Sequence, residues 1–167
     1  MNKGHELKGE LDGSGLQICI VVARWNNFIT DRLLEGALSA LGECGVADSD
    51  IKVAQVPGSF EVPLGAAWAA RSGKFDAVIA LGAVIRGETA HFEYVAGGAA
   101  GGIQQISLET NVPISFGVLT VETKEQALAR VGGSEGHKGD EAARAAIEMA
   151  YLREKFADDA VGGLASE

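Results

Sequence analysis

"AVIALGAVIR" (77–86) carries no charge until its last residue, and "GETAHFEYV" (87–95) follows it directly. The run Ala77 to Ile85 is far too short for a helix across a bilayer, which needs about 20 apolar residues. Its length suits a strand covered on both faces, because a half-exposed strand alternates apolar with polar residues. Gly87 breaks the run, and a helical pattern starts near His91 and ends before Asn111. His91 therefore falls in a first helical turn, just where a strand hands over to a helix. The chain has only three histidines. A core histidine has no need of that address, whereas a proton-handling group beside an anion does. The N–H groups of Gly87-Glu88-Thr89 are of the kind that hold phosphate at a helix start, although many unoccupied helix starts look the same. The positive end of a helix also favours neutral imidazole, the form that accepts or relays a proton near neutral pH.

Three further runs share the character of the first: "LQICIVVA" (16–23), "IKVAQV" (51–56) and "PISFGVLT" (113–120). Helical patterns separate them. "ITDRLLEGALSALGECG" (29–45) has Thr30 or Asp31 as its expected cap and Gly45 at its end. "FEVPLGAAWAARSGK" (60–74) carries Pro63 where a first turn tolerates it and Gly73 late. "TKEQALARVG" (123–132) opens with a Thr123-x-x-Gln126 capping box, and "DEAARAAIEMAYLREKF" (140–156) follows. Strand–helix alternation means a parallel sheet with right-handed crossovers and helices on both faces. The expected architecture is α/β: a single-domain three-layer sandwich with a central four-stranded parallel sheet flanked by helices. Residues 1–15 form an N-terminal segment that can add an edge strand, 16–156 the α/β domain, and 157–167 a tail expected to fray.

Composition narrows the function. With 47% hydrophobic and 22% charged residues, the chain can bury a core and disorder is disfavoured. A formal net charge of −9, with no block of five Lys or Arg, argues against a nucleic-acid partner. No segment suits a membrane span, and "MNKGHELKGELDGSG" lacks an apolar signal core, so a cytoplasmic address is expected. Cys19 and Cys44 form no CxxC pair and have no histidine at ligand spacing; they read as reduced thiols, and no metal site is expected.

In open α/β sheets ligands bind beyond the carboxyl ends of the strands. That rim gathers Arg24-Trp25-Asn26-Asn27, Pro57-Gly58-Ser59-Phe60-Glu61, Arg86 to His91, and Thr120 followed by a helix bearing Arg130. Singly, each has a bland reading: Trp25 packs at a sheet edge, Glu61 favours a helix N-terminus, and Arg130 is a surface charge near a helix C-terminus. Their convergence on one rim is the stronger sign.

"RWNNFIT" (24–30), "VPGSFEVP" (56–63), "LGAVIRGETAHFEYV" (81–95), and "FGVLT" (116–120) with "EQALAR" (125–130) resemble, in this order and spacing, the lumazine synthase family of riboflavin biosynthesis. The similarity runs from about Leu16 to Phe156. It implies a flavodoxin-like topology and the condensation of 5-amino-6-(D-ribitylamino)uracil with 3,4-dihydroxy-2-butanone 4-phosphate to 6,7-dimethyl-8-ribityllumazine, releasing phosphate and water. No cofactor and no metal are implied.

By the same resemblance His91 corresponds to the proton-transfer residue. Glu88 and Thr89 fall in the phosphate-holding loop, and Arg130 matches the residue that pairs with that phosphate. Ser59, Phe60, Glu61, Ala83, Val84 and Ile85 match the segments that bind the ribityl chain and pyrimidine. Trp25 takes the place of an aromatic that stacks on the ring, with Asn26 beside it. Phe116 corresponds to the aromatic on the other side of the ring, and Lys138 to a further substrate-side lysine. The resemblance also implies a homopentamer, or an assembly of pentamers, in which Phe116 and Arg130 reach the site from a neighbouring subunit. "GGSEGHKG" (132–139) departs from the family's Gly-Thr-Lys-Ala-Gly-Asn-Lys-Gly, with Ser134 at its first lysine and His137 at its asparagine. Glu88 often corresponds to a small residue. The rival readings are a flavin-binding module and a storage or shell protein on the same fold without turnover.

"YVAGGAAGGIQQI" (94–106) is unusual for a helix, since each of its four glycines costs about 1 kcal/mol relative to Ala. Close packing must offset that. The expectation is that Gly98 and Gly102 lie where copies of this helix meet on a five-fold axis; the alternative is tight contact with the chain's own sheet.

Overall fold

The computed structural model describes residues 4–162. Four parallel strands, β1 (Ile18–Ala23), β2 (Ile51–Val56), β3 (Ala77–Ile85) and β4 (Ile114–Val121), pair in the order β2-β1-β3-β4. Five helices accompany them: α1 (Asn27–Glu43), α2 (Val62–Arg71), α3 (His91–Thr110), α4 (Lys124–Ala129) and α5 (Lys138–Gly162). A short antiparallel pair, β5 (Val131–Gly133) and β6 (Gly136–His137), joins the last two helices. This is a flavodoxin-like α/β sandwich.

The apolar runs are continuous because the sheet feeds two cores. Successive side chains of a strand point to opposite faces. Ile18, Ile20 and Val22 therefore pack with Ile79, Leu81 and Leu119 under α1 and α5. Cys19, Val21 and Ala23 pack with Val78, Ala80 and Val118 under α2 and α3. Burial pushes the Cys19 thiol up to about 11, which leaves it an inert apolar filler.

Several expectations need correction. β2 is not covered on both faces: Lys52 to Gln55 are exposed, because β2 is the edge strand and lies beyond the helices that cover β1 and β3. Residues 4–15 contain no strand; Gly13 N–H instead donates to Cys44 O (2.8 Å), and Gly9 lies against Glu148 of α5. Residues 1–3 lie outside the described residues. Helix α5 runs to Gly162, and the tail beyond it lies outside the described residues.

Helix α1 is capped by Asn26, not by Thr30 or Asp31. Asn26 sits in the left-handed region (φ 63°), which Asn tolerates better than most residues, while Thr30 is buried in the second turn. At α4 Thr123 Oγ1 accepts from Gln126 N–H (3.2 Å) as the capping box requires, but the return bond is shifted by one residue: Gln126 Oε1 accepts from Glu122 N–H (2.7 Å), just before the cap. Gly45 and Gly73 close α1 and α2 at positive φ (89° and 71°).

The glycines of α3 divide in a way that spacing alone did not give. A Cβ at Gly98 would lie 3.1 Å from the Phe60 ring, and one at Gly102 2.8 Å from Pro63 Cβ. This pair lets α3 close onto Phe60 and the start of α2 within one chain. Gly97 and Gly101 have open space above them, on an exposed face with Tyr94, Gln104 and Leu108. Gly98→Leu with Gly102→Leu is expected to destabilise the chain by about 1–3 kcal/mol per site. The thermal midpoint should fall by roughly 2–4 °C for each kcal/mol. Gly97→Ala with Gly101→Ala should hold or raise the midpoint of the subunit; equal losses from both pairs would contradict this division.

Candidate functional site

Chain direction reverses across the sheet between β1 and β3, since β2 follows β1 on one side and β3 returns to the other. The crevice at such a switch point is where open α/β sheets bind ligands. A cavity of about 520 Å³ lies there, lined by Trp25, Asn26, Gly58 to Glu61, Ala83 to Ile85, Gly87, Thr89, His91, Phe92, Tyr94 and Val95.

Each wall is held by backbone. Arg24 and Trp25 N–H donate to Val56 O (2.8 Å) and Pro57 O (3.0 Å), which lashes the end of β1 to the loop after β2. Asn26 Nδ2 donates to Ala83 O (2.8 Å) across the crevice, so this side chain braces the site, and the sequence reading of Asn26 as a ligand contact missed that duty. The loop after β2 makes a short 3-10 turn, Ser59–Glu61. Ser59 is buried against Gly82 of β3, where a Cβ would come within 2.5 Å of its Oγ. Phe60 and Trp25 remain 61% and 74% exposed, large apolar surfaces awaiting cover.

On the far wall the Gly87-to-Ala90 turn leads into α3, and His91 N–H donates to Thr89 Oγ1 (3.4 Å). Gly87 and Thr89 line the cavity, but Glu88 does not: it is exposed and stands outside the wall. Phe92, Tyr94 and Val95, which the sequence reading left out, also line it. The first turn of a helix presents neighbouring positions to one surface, and that periodicity was the available signal.

Phe116, Arg130 and Lys138 do not join this cavity. They line a separate depression of about 250 Å³ beside β4, with Thr120 and Val121. The expected Trp25–Phe116 slot is therefore not formed within one chain. Hairpin β5–β6 places the two cations side by side, since Lys138 N–H donates to Arg130 O (2.9 Å). Arg130 Nη1 rests on Gln126 O (2.9 Å), and Lys138 Nζ on Glu141 Oε2 (2.7 Å). Phe116 is 50% exposed.

The unusual His137 has a structural duty. Its Nδ1 accepts from Gly139 N–H (3.2 Å) and Asp140 N–H (3.4 Å), so the ring caps α5 as an asparagine can. The ring lies on Gly36 of α1, where a Cβ would approach to 2.0 Å. Among the described residues no three His, Cys, Asp or Glu side chains are grouped to hold a metal ion, and no helix is long and apolar enough to cross a membrane.

The rim thus offers two separate surfaces: an open crevice with aromatic, carboxylate, imidazole and N–H groups, and a cationic patch next to an exposed phenylalanine. Residues 15–154, which include all four strands and every loop on this rim, match the family model described as 6,7-dimethyl-8-ribityllumazine synthase, and the chain belongs to that family.

Proposed function

We propose that the chain condenses 5-amino-6-(D-ribitylamino)uracil with 3,4-dihydroxy-2-butanone 4-phosphate to 6,7-dimethyl-8-ribityllumazine, releasing phosphate and water. The observation that carries this reading is the crevice at the switch point, where His91 and the Gly87–Thr89 turn face Trp25, Phe60 and Glu61 across one cavity. The cavity is large enough for a drug-sized ligand.

The pyrimidine stacks on Trp25, with its ribityl chain along Ser59 to Glu61 and the strand end Ala83 to Ile85. Its 5-amino group attacks the butanone ketone and water leaves, giving an imine. Loss of a proton and β-elimination expel phosphate and leave an enol that tautomerises to a second ketone; the ribitylamino nitrogen attacks that carbonyl, and a second water leaves as the ring closes. These steps transfer protons and leaving groups, and His91 is placed to carry the protons. The N–H groups of the turn receive the phosphate, where charge-assisted hydrogen bonds are strong.

Each site is completed by a second copy of the chain. Arg130, Lys138 and Phe116 line a depression of their own and not the His91 cavity, and that depression supplies what the cavity lacks: cations for the phosphate and a second aromatic face. The exposed apolar residues around both surfaces support a homo-oligomer, a pentamer in this reading.

Mixing the two substrates with pure protein and following lumazine absorbance tests the proposal. Flavin binding without turnover would favour the binding module instead, and sedimentation as a monomer would remove the shared site. Glycine 58 offers a finer test. A Cβ there would lie 3.1 Å from Glu61 Oε2. Gly58→Ala should displace that carboxylate and raise KM for the pyrimidine by roughly two- to tenfold, the worth of one hydrogen bond. KM for the butanone phosphate should hold.

A further inference from the structure

We propose that Arg86 is a positioning residue for the reaction read above: it locks the helix start that carries His91 to the turn from which Arg130 hangs. Arg86 is the first residue after β3, and its N–H donates to Val121 O (2.9 Å). Its guanidinium then addresses two other elements at once. Nη1 donates to Glu93 Oε1 in the first turn of α3, and Nε donates to Glu122 Oε2 (2.6 Å) just after β4. The guanidinium carbon stands 4.2 Å from the centre of the Phe92 ring, so the cation lies against a wall residue of the cavity next to His91.

The contacts continue beyond Glu122. Its N–H donates to Gln126 Oε1 (2.7 Å), and Gln126 O accepts from Arg130 Nη1 (2.9 Å). One chain of bonds thus runs from the His91 turn through Arg86, Glu122 and Gln126 to Arg130. The hydrogen bond from the Arg86 guanidinium holds the Glu93 carboxyl below its ordinary value, so Glu93 stays a charged partner at neutral pH.

Two simpler roles fit less well. Arg86 does not line the cavity, and with Glu93 and Glu122 it forms a triad of net negative charge that repels a phosphate. Nor is stability its main contribution: the Arg86, Glu93 and Glu122 side chains are 37%, 55% and 58% exposed, and water screens such pairs. What the planar fork supplies is direction. It meets two carboxylates and a ring face together, which a lysine ammonium cannot do. Without it Glu93 and Glu122 would face each other as like charges, and the α3 start would lose its tie to β4.

The test compares wild type, Arg86→Ala and Arg86→Lys in steady-state kinetics, thermal midpoint, sedimentation and amide hydrogen exchange. For Arg86→Ala kcat should fall by about tenfold, as misplacement of a reacting group does, with KM for both substrates changed by less than about twofold. Arg86→Lys should recover part of that loss. Midpoint and sedimentation should hold, while amides of Val95, Ala96 and Gln126 exchange faster in Arg86→Ala. An unchanged kcat, full wild-type kcat in Arg86→Lys, or loss of activity together with the midpoint or the assembly would each overturn the assignment. Should the wild type itself fail to turn over the two substrates, the functional reading fails, and the exchange data alone still judge the clamp: unchanged exchange refutes it.

Discussion

Arg130→Ala is expected to raise KM for 3,4-dihydroxy-2-butanone 4-phosphate and lower kcat, with a combined loss in kcat/KM of about ten- to a hundredfold. Removing a charge-assisted phosphate contact costs roughly 1.5–3 kcal/mol, which is one to two powers of ten. The chain carries a formal net charge of −9, so a phosphate approaching it meets repulsion nearly everywhere else. Arg130 and Lys138 are held together by a backbone bond, and the Arg130 guanidinium donates to Gln126 O. Truncating Arg130 should therefore leave the fold intact. KM for the pyrimidine should change much less, because the crevice that receives it contains no part of Arg130. Equal losses of affinity for both substrates would count against the phosphate role. Mixing Arg130→Ala with His91→Ala carries the sharper test of the shared site. If each site takes one half from each of two subunits, mixed oligomers regain some intact sites; absence of any recovery after subunit exchange would contradict that arrangement.

His91→Ala is expected to lower kcat by about a hundredfold, the low end of what a positioned acid–base group contributes. The low end applies because the crevice is open, and water can carry protons in place of the imidazole. Both KM values should stay near wild type, since the N–H groups of Gly87 and Thr89 remain. His91 is exposed and opens α3, so its truncation should not disturb the core or the thermal midpoint. A variant with wild-type kcat would remove His91 from the mechanism.

The two halves of the site were legible to different degrees. Apart from Phe92, Tyr94 and Val95 of α3, the residues of the crevice stand at or a few positions beyond a strand end, and the apolar runs mark those ends. Thus Trp25, Ser59 to Glu61, Ala83 to Ile85, Thr89 and His91 meet as their positions imply. Glu88 is exposed and does not line the crevice; a carboxylate there has to point away from a phosphate held by the backbone N–H groups of the turn. Asn26 lines the crevice, and its amide is also taken up by Ala83 O, a partner 57 positions away that spacing does not name.

By itself the order of apolar runs and helical patterns determined an all-parallel α/β sheet and the rim of loops at its strand ends, and the motifs along that rim carried the family resemblance. These are local properties, since a strand or a helix start is written in a few neighbouring residues. Tertiary structure decided the rest. Only the strand order exposes β2 and opens the crevice between β1 and β3. Close approach of α3 to Phe60 and Pro63 decides that a side chain at Gly98 or Gly102 would meet the chain's own atoms, while Gly97 and Gly101 have open space above them. The separation of Arg130 from His91, the capping duty of His137 and the fork of Arg86 likewise depend on which distant elements become neighbours. A period of two or 3.6 residues says which way a side chain points from its own element, but the partner it meets is set by how the elements pack.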